Sequence, residues 1–189
     1  MINPKSQYNP AIHHRRSIRL KGYDYSSPGY YFATLCTQYR YYMFGKVTGG
    51  QMQLNDAGKM VEHQWLILPE RFDNIRIDQY VVMPNHFHAI LQIIAPKGKA
   101  LGDILGAFSS IVTVEYIRGV KENNWRPSPK KLFQRNYWEH IIRNEEELLR
   151  IRNYIKNNPS KWENDRFIRA SGNRVQENMA LYEEEPWMI

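Results

Sequence analysis

From about Tyr30 onward the chain alternates between short runs of β-branched and aromatic residues and longer stretches with helical spacing. Tyr30 to Thr37 is the first such run and predicts a strand. Met43 to Val47 and Gln51 to Leu54 flank Gly49-Gly50, a dipeptide that tolerates positive φ and so marks a tight hairpin. Asn55 then caps a helix whose apolar positions Ala57, Met60, Val61, Trp65 and Leu68 recur at helical spacing up to Pro69. His63 falls on the outer side of that helix. Ile75 to Met83 predicts another strand, and Pro84-Asn85 is so short a connection that the next strand must return antiparallel. That next strand, His86 to Ile94, is apolar on both faces from Ala89 onward except at Gln92, as expected of a central strand covered on both sides.

Leu101, Ile104, Leu105, Phe108, Ile111 and Val112 predict a second long helix running to about Gly119. Lys121 to Lys131, with Pro127 and Pro129, reads first as a solvated loop, with contact of Trp125 and Lys130-Lys131 to a ligand as the alternative. Leu132 to Ile142 predicts a last strand. A final helix follows with a legible start and stop: Asn144 is a good N-cap, and Glu147 three residues on can close a capping box. Three glutamates sit at the positive end of its dipole, Arg150, Arg152 and Lys156 follow, and Pro159 ends it. Leu148, Ile151 and Ile155 are its buried stripe. The order of strand, hairpin, helix, strand, strand, helix, strand, helix defines an α+β fold, an antiparallel sheet covered by helices.

Within 189 residues there is room for one domain with a substantial core, placed at residues 30–165. Residues 1–29 form a polar, basic N-terminal arm in which His13, His14, Arg15, Arg16, Arg19 and Lys21 are interleaved with Tyr8, Tyr23 and Tyr25. Residues 166–189 form a C-terminal tail containing Glu183-Glu184-Glu185.

Two constellations carry chemistry. His86 and His88 open their strand at i and i+2, so both project from one face, separated by roughly 6.6–6.8 Å of rise. Two imidazoles at that spacing can share one metal ion, although such a pair read alone is more often polar decoration of a strand end. On the last helix Tyr154 and Asn158 are i and i+4, within about 40° of each other. A tyrosine hydroxyl and an amide oxygen thus project together from the seam where this helix meets the sheet. A tyrosine at that place is also compatible with simple packing at a helix edge.

Charge narrows the partners. Twenty-six basic against nineteen acidic residues leave a formal charge of +7. That balance suits a polyanion, nucleic acid being the commonest, and a merely basic protein shares it. Thirteen tyrosines and five tryptophans supply rings for the core and, where exposed, for stacking on unpaired bases. The single cysteine, Cys36, excludes an internal disulfide and a cysteine-based zinc site. Met1 to Pro10 lacks an apolar signal core, and no run approaches a membrane span in length, which predicts a cytoplasmic protein with no membrane partner.

His86-Phe87-His88 is a His-hydrophobe-His triplet. Together with Tyr154-Ile155-Lys156-Asn157-Asn158-Pro159 and Trp162, it resembles the signature of the single-tyrosine HUH transposases, and most closely the REP-associated tyrosine transposases. Arg15 to Tyr25, Val81 to His88 and Gln134 to Glu145 resemble that group too, so the likeness runs from about Arg15 to Trp162. It implies a ferredoxin-like HUH nuclease core. One departure is Ser109-Ser110 on the second long helix, where basic residues are common in the relatives.

The resemblance also implies an activity: a metal-dependent single-stranded DNA endonuclease and transposase that recognises hairpin DNA of the REP kind. Tyr154 would be the nucleophile, and His86, His88 and Asn158 the ligands of a divalent ion, Mg2+ or Mn2+, that acts as Lewis acid. Insertion-sequence relatives often carry Gln at the position of Asn158. Attack gives a 5′-phosphotyrosine and a free 3′-hydroxyl, and strands can be rejoined without a nucleotide cofactor. Arg15, Arg16, Arg19, Lys21, Arg135 and Arg143 are candidate DNA contacts. Two other readings stay open: a catalytically idle hairpin-DNA-binding regulator, and a metal-dependent nuclease in which water attacks. The short connection from Ile142 to Asn144 favours docking of the last helix on its own sheet in a monomer, the alternative being exchange across a homodimer.

Overall fold

The computed structural model describes residues 19–128 and 131–164. In chain order they form β1 (Gly29–Cys36), β2 (Gly45–Thr48), β3 (Gln51–Leu54), α1 (Asp56–Leu66), β4 (Ile75–Val82), β5 (His86–Ile93), α2 (Leu101–Glu122), β6 (Trp138–Ile142) and α3 (Glu145–Asn157). Short 3₁₀ turns occupy Gln38–Arg40, Leu68–Glu70 and Pro159–Asn164.

Strands β1, β4, β5 and β6 pair antiparallel in the order β4-β5-β1-β6, with α1 inserted before β4 and α2 before β6. This is the β-α-β-β-α-β topology of a ferredoxin-like core. The β2–β3 hairpin is an addition between β1 and α1, and it turns on Gly49 (φ 59°) and Gly50 (φ 73°), two left-handed positions that suit glycine. Asn55 caps α1 as expected: its Oδ1 accepts from Gly58 N at 2.8 Å, and its Nδ2 donates to Met43 O at 3.0 Å.

The sheet separates two apolar clusters. On one face α1 and α2 cover Tyr31, Ala33, Leu35, Phe87, Ala89, Leu91 and Ile93, and Trp65 meets both Phe87 and Phe108 edge to face at its centre. On the other face α3 lays Leu148, Ile151 and Ile155 over Phe32, Ile90 and Ile142. The helix therefore docks on the sheet of its own chain.

Three expectations change. The last strand begins at Trp138 rather than Leu132. Thr37 faces Phe133 in an isolated bridge, where the register of β6 would bring Arg135, so the chain leaves the ladder between the two. Leu132 and Phe133 are buried there and anchor the departing segment in the larger cluster. Helix α2 runs past Gly119 to Glu122, and the Trp125 ring packs back on Gly119, where a Cβ would lie 2.2 Å from it. Trp125 is thereby half-buried against α2 and Tyr116 instead of presented on an open loop.

Candidate active site on the α3 face of the sheet

Alternation along β5 decides the site. Phe87, Ala89, Leu91 and Ile93 enter the α1/α2 core, so His86 and His88 join Ile90 on the α3 face. Both histidines are fully buried, with ring centroids 4.5 Å apart. Register supplies a partner for the second: His88 pairs with Thr34 of β1, whose hydroxyl lies 2.8 Å from His88 Nδ1. The Asn85 side chain lies 2.8 Å from His86 Nδ1 through its Oδ1. Partners at Nδ1 fix ring orientation and direct each Nε2 elsewhere, a pattern usual for metal-binding histidines.

Helix α3 brings the tyrosine to this pair. The Tyr154 hydroxyl lies 3.3 Å from His88 Nε2, and its ring stands edge-on to Phe32 with centroids 6.1 Å apart. One turn on, Asn158 closes the helix as its C-cap and is 4% exposed. Among the described residues its buried Oδ1 has no hydrogen-bond partner, a costly state for an amide oxygen. The Trp162 ring sits 6.0 Å from that of His86. Among the described residues no group of three or more His, Cys, Asp or Glu gathers to hold a metal. The two buried imidazoles and the buried Asn158 amide oxygen are donor groups of kinds that ligate divalent ions.

Polar clamps hold α3 in place. His140 Nε2 of β6 lies 2.7 Å from Glu147 Oε1, and Glu147 Oε2 accepts from Arg143 N at 2.8 Å. Asn144 Oδ1 accepts from Glu147 N, so the N-cap forms; the Glu147 carboxylate, however, serves β6 and Arg143 rather than closing a capping box. Burial pushes the Glu147 carboxyl up, but the hydrogen bonds from Arg143 and His140 outweigh it and leave the group below the usual range. At the other edge a bulge sets Asp78 and Gln79 together against Ile90. It presents Asp78 to α3, where Arg152 grips it through Nε at 2.9 Å and Nη2 at 2.6 Å. The Arg152 hydrogen bond draws the Asp78 carboxyl below its usual range.

The candidate DNA contacts scatter. Arg15 and Arg16 lie outside the described residues. Arg19 sits on the α2 side of the sheet, against Gly102, hydrogen-bonded to the Tyr137 hydroxyl and 3.7 Å from the Glu139 carboxylate. Burial pushes that carboxyl up, against the pull of Arg19. Lys21, Arg135 and Arg143 are exposed. Sequence reasoning passed over Thr34, Asn85, His140 and Asp78. Thr34 was the most findable, as a polar residue inside an otherwise apolar strand, although its meeting with His88 depends on register; Asp78 depends on a bulge, Asn85 is the sequence neighbour of His86, and His140 meets Glu147 only once α3 has docked beside β6.

The fold is similar to that of a REP-associated tyrosine transposase whose structure was solved bound to a REP hairpin, with a TM-score of 0.57 and 19% identity, over 78% of this chain and 74% of that one. A Deinococcus radiodurans protein provisionally assigned as a transposase matches at a TM-score of 0.44 and 16% identity, over 75% of this chain and 97% of that one. By sequence the chain belongs to one family with an uncharacterized protein of Haemophilus influenzae, to which it is 41% identical over 183 residues, 85% of this chain and 96% of that protein. No family model matches the chain. No helix among the described residues is long and apolar enough to cross a membrane.

Proposed function

We propose that the protein is a metal-dependent single-stranded DNA endonuclease of the HUH tyrosine transposase type, which recognises hairpin DNA and cleaves through Tyr154. The observation that carries this reading is the placement of the Tyr154 hydroxyl 3.3 Å from His88 Nε2, beside a second buried histidine.

The Tyr154 oxygen attacks phosphorus as the bond to the 3′-oxygen breaks. A 5′-phosphotyrosine and a free 3′-hydroxyl result, and the proton lost by the phenol balances the one gained by the leaving oxygen. Because the new ester keeps the energy of the old one, the strand can be rejoined by reversal. When bound by His86, His88 and Asn158, a divalent ion supplies Lewis-acid stabilisation of charge on the phosphate. Thr34 and Asn85 hold the two imidazoles in orientation, and the clamps at Glu147 and Arg152 keep Tyr154 at the seam. The docking of α3 on its own sheet supports action as a monomer. Lys21, Arg135 and Arg143, with Arg15 and Arg16 of the basic arm, are the proposed phosphate contacts, whereas Arg19 is held to the protein by Glu139.

The test incubates purified protein with labelled hairpin DNA carrying single-stranded flanks, with Mg2+ or Mn2+, and resolves the products on a denaturing gel. A protein–DNA adduct is expected from the native chain and not from Tyr154→Phe or His88→Ala. Cleavage without an adduct identifies water as the nucleophile, and tight binding with neither identifies a binding protein.

A further inference from the structure

The loop that leaves β1 beside the histidines is strained and aromatic. Cys36, the last residue of β1, is paired with His86. The chain then turns through Gln38–Arg40 with two successive non-glycine residues in the left-handed region, Tyr39 at φ 55°, ψ 17° and Arg40 at φ 53°. Long L side chains rarely adopt that conformation. A close net of bonds holds it: Gln38 N donates to Leu132 O at 2.8 Å, Arg40 N to Thr37 O at 3.0 Å, and Asn85 Nδ2 to Arg40 O at 3.3 Å. The Thr37 hydroxyl lies 2.8 Å from Tyr41 O and 2.9 Å from Asn85 O. Strain imposed by its surroundings is concentrated at functional sites.

The turn leaves two rings outside. Tyr39 is 47% and Tyr42 41% exposed, while Tyr41 between them is half-buried with the Arg126 guanidinium over its ring at 5.3 Å. Tyr39 is braced edge-on by Tyr41 at 5.8 Å and Tyr42 by Trp162 at 5.6 Å. Trp162 in turn reaches the ring of His86. The turn that leaves β1 opposite His86 thus carries two braced, exposed phenol rings, of which Tyr42 is joined to the His86 ring through Trp162.

We infer that Tyr39 and Tyr42 form a stacking platform for unpaired nucleotides next to the phosphate attacked by Tyr154. This rests on the single-strand nuclease reading. A phenol offers a flat face that any base can cover, and a duplex keeps its base faces stacked inside, so the occupant is single-stranded DNA. Phosphate contacts come from the basic residues of the chain, and the platform contributes where the strand runs unpaired.

The experiment uses the full chain and two DNAs: a blunt hairpin, and the same hairpin with a short single-stranded extension, tried at either end, carrying one 2-aminopurine. Native protein should quench the 2-aminopurine and bind the extended DNA more tightly than the blunt one. Tyr39→Ala and Tyr42→Ala should each weaken binding of the extended DNA roughly tenfold, relieve the quenching and leave blunt-hairpin binding unchanged. Tyr39→Phe and Tyr42→Phe should bind within about twofold of native, because the ring face remains. If the alanine variants bind the extended DNA as native does and still form the Tyr154 adduct, the platform is wrong and the nuclease stands. A native protein that neither binds these DNAs nor forms an adduct overturns both.

Discussion

The two faces of the sheet are built from the same strands and differ in everything else. On the α1/α2 face, Phe87, Ala89, Leu91 and Ile93 of β5 pack with Trp65 and Phe108 into a core rich in aromatic rings. On the α3 face, the intervening residues begin as His86 and His88 and turn apolar only at Ile90, so a small cluster shades into polar groups. A shift of one residue in β5 would exchange the two environments. One face is apolar along the whole of β5, and the other gives part of its packing to buried polar groups.

The sharpest break between the faces is at Trp65. Trp65→Ala should cost about 3–5 kcal/mol in a urea titration, while the molecules that remain folded keep an unchanged site. Ile151→Ala on the other face should cost about 2–4 kcal/mol. Its effect reaches further, because the helix that carries Tyr154 loses its seat and adduct formation per folded molecule should fall as well. If Ile151→Ala leaves that ratio at the native level, α3 is positioned by its polar clamps rather than by its apolar stripe.

Arg152→Ala isolates one of those clamps. The pair is partly exposed, Arg152 at 33% and Asp78 at 19%, so solvent screening limits its contribution to roughly 1–2 kcal/mol at neutral pH. The sign of the pH dependence follows from Asp78, whose carboxyl is drawn down in the folded protein. Its contribution is fully present above the unfolded-chain value of about 3.9 and is lost as pH falls through the lower folded value. The difference in melting temperature between native and Arg152→Ala should therefore shrink in acid below about pH 4, and a difference that stays constant would show packing rather than charge. Smallest of all is the expected stability change in Tyr154→Phe, within about 0.5 kcal/mol, because a hydroxyl 3.3 Å from its partner makes only a weak bond.

Much of this contrast was legible in the residue pattern. The hairpin on Gly49-Gly50, the cap at Asn55, the buried β5 and the stripe of α3 are local signals, and each led to its element. His86 and His88 shared a face by strand geometry alone, and Tyr154 shared an edge with Asn158 by helix geometry. What the pattern did not hold was register. Thr34 meets His88 only because β1 pairs with β5 where it does, and Asp78 meets Arg152 only through a bulge. Leu132 and Phe133 read as strand because they are apolar, yet they are core anchors outside the ladder. The left-handed turn at Tyr39 and Arg40 carried no glycine to announce it.

The most direct measurement is to locate the covalent link. Native protein is trapped with hairpin DNA in Mn2+, digested with nuclease and trypsin, and the nucleotide-bearing peptide is sequenced by mass spectrometry. With thirteen tyrosines in the chain, only the position decides. The phosphonucleotide is predicted on the peptide from Asn153 to Lys156, at Tyr154. A link to any other tyrosine, or efficient cleavage with every tyrosine unmodified, would contradict the assignment of the α3 face as the site of chemistry.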